Sequence, residues 1–140
     1  MKILFVCWAN VGRSQMAAAL YNNLTGAQDA DSAGTEVDVP GENLLEHYKR
    51  VSGMYILGVM DSIGIDVREA KRTQLKASML NKYDHIINMA EKEHTPRWLQ
   101  HSEKYEYWHV KDPGGKDYET ALQALNTIKV KVEKLIEREL

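Results

Sequence analysis

The sequence predicts an α/β fold of three layers, a four-stranded parallel sheet with helices on both faces. Three observations predict it. The chain opens with Ile3 to Cys7, a continuous apolar run containing Phe5 and Val6, which suits a strand buried on both faces. Extended and helical patterns then alternate to the end of the chain, as they do when helices cross between parallel strands. The 140 residues, 44% hydrophobic and 27% charged, have the composition of one ordinary globular domain spanning 1–140.

Each element follows from its local pattern. Asn10, Gly12 and Ser14 punctuate the chain after the first strand. From Ser14 the spacing of Met16, Ala19, Leu20, Asn23 and Leu24 is helical, and Gly26 closes that helix. Asp29 to Ser32 is the second strand by its place in the alternation, with Ala33-Gly34-Thr35 and Val37 to Gly41 as loops. Leu44, Leu45, Tyr48, Val51, Tyr55, Ile56, Val59, Met60 and Ile63 recur at threes and fours and predict a long amphipathic helix ended by Gly64. Gly53 and Gly58 weaken it and admit a kink or break. Thr73 to Leu80 reads as a short helix and Asp84 to Met89 as the third strand. Lys92 to Gln100 reads as helical around Pro96, and Tyr105 to Val110 alternates as a fourth strand. Asp112-Pro113-Gly114-Gly115 is a loop. Asp117 caps a last helix whose apolar stripe is Tyr118, Leu122, Leu125, Ile128, Val132 and Leu135.

Bulk properties exclude several classes. The net charge is −2 and Lys and Arg do not cluster, so nucleic acid is not the expected partner. No stretch approaches the ~18 apolar residues of a membrane span. The opening apolar run breaks at Asn10 with no small-residue cleavage site, so it reads as a strand rather than a signal peptide, and a cytoplasmic location is expected. The single cysteine forbids an intramolecular disulfide. The five histidines (47, 85, 94, 101 and 109) lack metal-ligand spacing with it, so neither a metal nor another cofactor is expected.

That cysteine stands in Cys7-Trp8-Ala9-Asn10-Val11-Gly12-Arg13-Ser14, a loop that leaves a buried strand and enters a helix. Successive backbone N–H groups there can form an anion nest. The helix N-terminus adds unpaired donors and positive potential. The planar fork of Arg13 can grip two phosphate oxygens. The same field favours the thiolate of Cys7, which is the nucleophilic form. Ser14 can donate to that thiolate, Asn10 tolerates a left-handed backbone, and Gly12 supplies freedom for a tight curve. A lone Cys-x5-Arg is a weak pattern, and a buried cysteine with a surface arginine is its bland alternative. The strand before it, the helix after it and the serine following Arg13 make it specific.

The stretch Ile3 to Leu20 resembles the opening strand, phosphate loop and first helix of the low-molecular-weight protein tyrosine phosphatase family, a superfamily shared with thioredoxin-linked arsenate reductases. Ser32-Ala33-Gly34-Thr35, then Gly64-Ile65-Asp66 with Arg72, Gln74 and Leu75, and finally Val110-Lys111-Asp112-Pro113 resemble later landmarks in the same order. The resemblance implies a phosphotyrosine phosphatase I-like fold, with Cys7 as nucleophile, Arg13 as phosphate clamp and Asp112 as general acid. Trp8, Ala9, Asn10, Val11, Gly12 and Ser14 are then the substrate-binding loop. Departures are visible. Gly12 replaces a frequent second cysteine, so oxidised Cys7 would need an outside thiol. Gln15 replaces a proline, Ala90 replaces an aspartate, and Gly114-Gly115 stand where aromatics are common. Val37 to Arg50 does not match the family's variable loop.

The expected activity is metal-independent hydrolysis of phosphate monoesters, of a phosphorylated protein or a small aryl phosphate, with inorganic phosphate as product. Trp8 is either a pocket wall or core, and Val11 leans towards an aryl ester. Asp112 alone could equally be a turn residue, since Asp-Pro before Gly-Gly is good turn chemistry. An arsenate reductase drawing on an external thiol, a non-catalytic phosphate-binding module and a phosphocarrier are the alternatives. Oligomeric state is not readable.

Overall fold

In the computed structural model, which describes residues 1–139, four strands form one parallel sheet in the order β2-β1-β3-β4. The strands are β1 (Ile3–Cys7), β2 (Ala30–Gly34), β3 (His85–Asn88) and β4 (Tyr105–Tyr107). The helices are α1 (Arg13–Thr25), α2 (Leu44–Arg50), α3 (Ile56–Asp61), α4 (Arg97–Gln100) and α5 (Tyr118–Glu139). Central β1 pairs with β2 on one side, Ile3 opposite Ala30, and with β3 on the other, Ile3 opposite His85. Strand order therefore reverses at β1, and the crevice beyond its carboxyl end is where open α/β sheets bind ligands.

All five residues of β1 are buried because each face has its own cover. Ile3, Phe5 and Cys7 face the larger core, built with α1, α3 and α5, while Leu4 and Val6 meet Ala33, Leu75, Ile86 and Leu99 on the other side. Period-2 alternation between two apolar layers is what makes the strand read as a continuous apolar run. The stripe of α5 enters the larger core through Ala121, Ala124, Leu125, Ile128, Val132 and Leu135. Asp117 Oδ1 starts this helix by accepting from the Thr120 amide at 2.8 Å.

Five expectations are corrected. The long helix over 44–63 is two short ones, because the chain turns extended at Val51 and Gly53 takes φ 76°. Their start at α2 is fixed by a reciprocal capping box between Asn43 and Glu46. Ala33 and Gly34 belong to β2 rather than to a loop, and segment 73–75 runs beside them instead of beginning a helix. Gly34 N donates to Thr73 O and Leu75 N donates to Gly34 O, each at 2.8 Å, so the exposed edge of β2 is partnered there. The helical turn follows later, as a 3-10 turn over Ala77–Lys82. Lys92–Gln100 divides at Pro96, which has no N–H to continue the 3-10 turn Lys92–His94 into α4. Finally, β4 ends at Tyr107, because Trp108 turns inward and packs on Phe5 with ring centroids 5.7 Å apart.

Candidate active site

The loop from Cys7 to Arg13 leaves the carboxyl end of β1 and enters α1, and it forms the floor of a cavity of about 330 Å³. Cys7 Sγ lies 3.0 Å from Ser14 Oγ. The Ser14 oxygen accepts from Asn10 Nδ2 at 2.7 Å, which leaves the hydroxyl proton for the sulfur. Asn10 spends its whole amide on shape. Its Nδ2 also reaches Ser32 Oγ at 3.0 Å, and its Oδ1 accepts from Thr73 N at 2.8 Å. Its backbone φ is 57°, the only positive value at a non-glycine residue among those described, and asparagine tolerates that region.

Gly12, read from the sequence as a source of backbone freedom, has φ −105°, which any residue can adopt. A Cβ there would make ordinary contacts with Ile56 Cδ1 at 3.4 Å and Pro113 Cγ at 3.6 Å. The glycine that the loop does require is Gly34. A Cβ on it would stand 2.8 Å from Asn10 N and from Trp8 O, both backbone atoms of the loop.

Arg13 is 2% exposed. Its Nη1 donates to Met89 O at 2.6 Å, Val110 O at 3.0 Å and Glu91 Oε2 at 3.0 Å, and Nη2 reaches Glu91 Oε1 at 3.3 Å. Among the described residues its Nε donates to none. Burial alone would lower the Arg13 pKa, but Cys7, Glu91 and Asp112 around it outweigh that and raise it, so the charge is permanent. Burial pushes the Glu91 carboxyl up, and the bond from Arg13, its own backbone N–H and the charges of Arg13 and His94 together more than reverse it. Glu91 thus supplies the carboxylate that Ala90 lacks, from the next position along. The sequence signal was an acid one residue beyond the missing aspartate.

Asp112 stands on the opposite wall. One oxygen, Oδ1, accepts from Gly114 N at 2.9 Å in a tight turn, and the other, Oδ2, lies 3.8 Å from Arg13 Nη2. The turn and the approach to the floor therefore coexist. Trp8 lines the cavity while stacking on His94 at 4.0 Å with 12° between the rings, and its Nε1 donates to Glu36 Oε2 at 2.9 Å. Ala9 and Val11 also line it. Met54, Tyr55 and Ile56 form an apolar wall from the break between α2 and α3, which the sequence hid inside a single helix. Tyr118 stands outside the buried stripe of α5. It packs edge-on against Tyr55, with centroids 6.4 Å apart.

Among the described residues no group of three or more His, Cys, Asp or Glu side chains is arranged to hold a metal ion, and no helix is long and apolar enough to cross a membrane. A buried strand ending in a cysteine, a loop closed by a buried arginine and a carboxylate 3.8 Å from that arginine agree with the class that the comparisons give, a cysteine-dependent phosphatase. The chain belongs to the low molecular weight phosphotyrosine protein phosphatase family, which residues 2–140 match. It is 28% identical over 138 residues to a glutaredoxin arsenate reductase of Synechocystis sp., covering 96% of this chain and 95% of that protein. The fold is similar to a low molecular weight protein tyrosine phosphatase from T. tengcongensis, with TM-score 0.80, 24% identity and 99% of both chains covered. An arsenate reductase in its phosphate-binding state is 26% identical with TM-score 0.75, over 99% of this chain and 98% of that one.

Proposed function

We propose that this protein hydrolyses phosphate monoesters of aryl type, phosphotyrosyl side chains among them, through a cysteinyl-phosphate intermediate. The observation that carries the reading is the convergence of the Cys7 sulfur, the buried Arg13 guanidinium and the Asp112 carboxylate on one cavity at the strand-order reversal. The phosphate docks in the loop, with backbone N–H groups and the uncommitted Nε of Arg13 on its non-bridging oxygens. These donors are fixed beforehand, so they stabilise charge as it spreads in the transition state without reorganising.

The Cys7 sulfur gives an electron pair to phosphorus, and the bond from phosphorus to the ester oxygen breaks. That oxygen takes the proton of Asp112 as it leaves. The Asp112 carboxylate then takes a proton from water, whose oxygen attacks phosphorus, and the S–P bond breaks to return the Cys7 thiolate and inorganic phosphate. The Ser14 hydroxyl, aimed at the sulfur, stabilises it as a leaving group. An aryl group fits between Trp8 and the Tyr55 wall, and buried Val11 adds no polar group for a charged ester.

The test is hydrolysis of a simple aryl phosphate with EDTA present, between pH 5 and 8. Turnover is expected to vanish in Cys7→Ser, and kcat is expected to fall by roughly 10² to 10⁴ in Asp112→Asn. A well-folded wild type that hydrolyses no aryl phosphate removes the reading. Three-cysteine relay chemistry is closed to a chain with one cysteine.

A further inference from the structure

A second buried guanidinium borders the cavity, and the reaction described above gives it no task. Arg72 is 2% exposed. One edge of its fork is turned to the loop: Nε and Nη2 donate to the carbonyl oxygen of Ala9 at 3.2 and 2.8 Å. The other edge is turned away, where Nη1 donates to Asp38 Oδ1 at 2.7 Å and to Glu42 Oε1 at 2.6 Å. Glu42 also takes Arg50, and His47 Nδ1 lies 2.9 Å from Glu42 Oε1 and 3.2 Å from Arg72 Nη1. Hydrogen bonds from Arg72 hold the Asp38 carboxyl down at about 2, and bonds from Arg50 and Arg72 hold Glu42 down at about 2. Burial, with the charges of Arg72 and Arg50, pushes the His47 pKa down against the pull of Glu42. Two cations thus face two anions and a neutral ring, and the cluster is balanced without any help from the loop.

The Ala9 carbonyl is therefore not needed to neutralise Arg72, yet it receives half of the fork. It belongs to the peptide preceding Asn10, where the loop changes hand at φ 57°. A planar peptide moves as a unit, so a fixed Ala9 oxygen also fixes the Asn10 N–H. The neighbours of Arg72 hold the same place. Gln15 Nε2 bridges Asn10 O and Lys71 O at 3.2 and 3.1 Å, and Thr73 N holds the Asn10 side chain.

We propose that Arg72 is a positioning residue: it pins the Ala9–Asn10 peptide so that the loop is shaped for an anion before one arrives, and Asp38 and Glu42 hold Arg72 to that task. The role rests on the phosphatase reading and adds to it the residue that prepares the loop. Fixing donors in advance lowers the ordering cost of binding and of the transition state alike.

The test is Arg72→Lys, whose single ammonium keeps a charge beside Asp38 and Glu42 but cannot span them and the Ala9 oxygen together. Inhibition by inorganic phosphate is expected to weaken about tenfold, the size of one lost charge-assisted hydrogen bond, and kcat/KM to fall by at least as much. Backbone amide NMR signals of residues 8–12 are expected to broaden without phosphate and to sharpen at saturation. Glu42→Gln is expected to move the same readouts less. A folded Arg72→Lys with wild-type phosphate inhibition and wild-type amide signals overturns the proposal. If Arg72→Lys does not fold, a destabilised Glu42→Gln with unchanged phosphate inhibition overturns it and leaves the cluster a matter of stability alone. Wild type that neither binds phosphate nor turns over an aryl phosphate removes the phosphatase reading instead, and the amide signals of phosphate-free Arg72→Lys still decide whether Arg72 orders the loop.

Discussion

The floor of the cavity and its mouth are built on opposite plans. On the floor, Asn10 is bonded to Ser14 and Gln15, Asn10 and Gln15 reach segment 71–73, Arg13 is bonded to Met89 and Glu91 just beyond β3, and each of the four is at most 4% exposed. At the mouth, apolar side chains face each other across glycine joints. A Cβ on Gly53 would lie 4.0 Å from the Cα of Gly115, and both glycines have positive φ, 76° and 72°. Hydrogen bonds fix position to fractions of an ångström, whereas apolar contact fixes only proximity. On the proposed phosphatase reading, the chemistry is set on the floor and the range of esters at the mouth.

The sharpest break of this contrast is Arg13→Lys, which keeps the charge and loses the fork. A fall of about a thousandfold in kcat/KM is expected from losing donors aimed at developing charge, measured on an aryl phosphate. A loss below tenfold would mean that charge alone suffices on the floor. Next is Gly34→Ala, which pushes a methyl into the loop backbone. Such overpacking costs about 2 kcal/mol, visible in a urea titration, and activity should fall in the folded fraction as well. Wild-type activity there would show that the loop yields as freely as the mouth. Glu91→Gln keeps a hydrogen-bond partner for Arg13 and removes the charge, and a loss of about tenfold in kcat/KM is expected.

The smallest effect concerns the ion cluster behind the floor. Asp38 and Glu42 sit at about 2 in the folded chain, against about 4 in an unfolded one. Below pH about 4.5 the unfolded chain therefore binds protons that the folded chain refuses, and stability falls as pH drops towards 2. Exposure of the Asp38 carboxylate damps its share. A urea midpoint followed from pH 6 to 2 should decline in wild type and decline less in Asp38→Asn. Parallel curves would remove Asp38 from the linkage.

Much of the floor was legible because its residues are contiguous. Strand, cysteine, left-handed asparagine, arginine and serine all fall within Ile3 to Ser14, in a loop that joins a strand to a helix. What was not legible lies far along the chain. Glu91 meets Arg13 across 78 positions and Arg72 meets Ala9 across 63, and no local pattern announces such partners. Gly34 was read as loop although it is the end of β2, because its necessity comes from a neighbouring backbone rather than from its own dihedral angles. Tyr55 was hidden by periodicity, since its spacing continues the stripe of α2 while the chain between them has left the helix. The sequence says of His94 only that it lacks metal-ligand spacing, because a stacking partner 86 positions away leaves no trace in its surroundings.

The reach of these bonds bears on how the protein comes to life. Cys7 lies near the start of the chain, but the groups that shape its surroundings arrive from residues 72–73, 89–91 and 110. A chain emerging from the ribosome carries the Cys7 thiol without these partners until residue 110 has followed it. Contacts so distant in sequence close late, because the loops between them must first be brought together. On the proposed reading, secondary structure therefore returns before a competent thiol does, and competence belongs to the step that brings residues 72–73, 89–91 and 110 together around the loop.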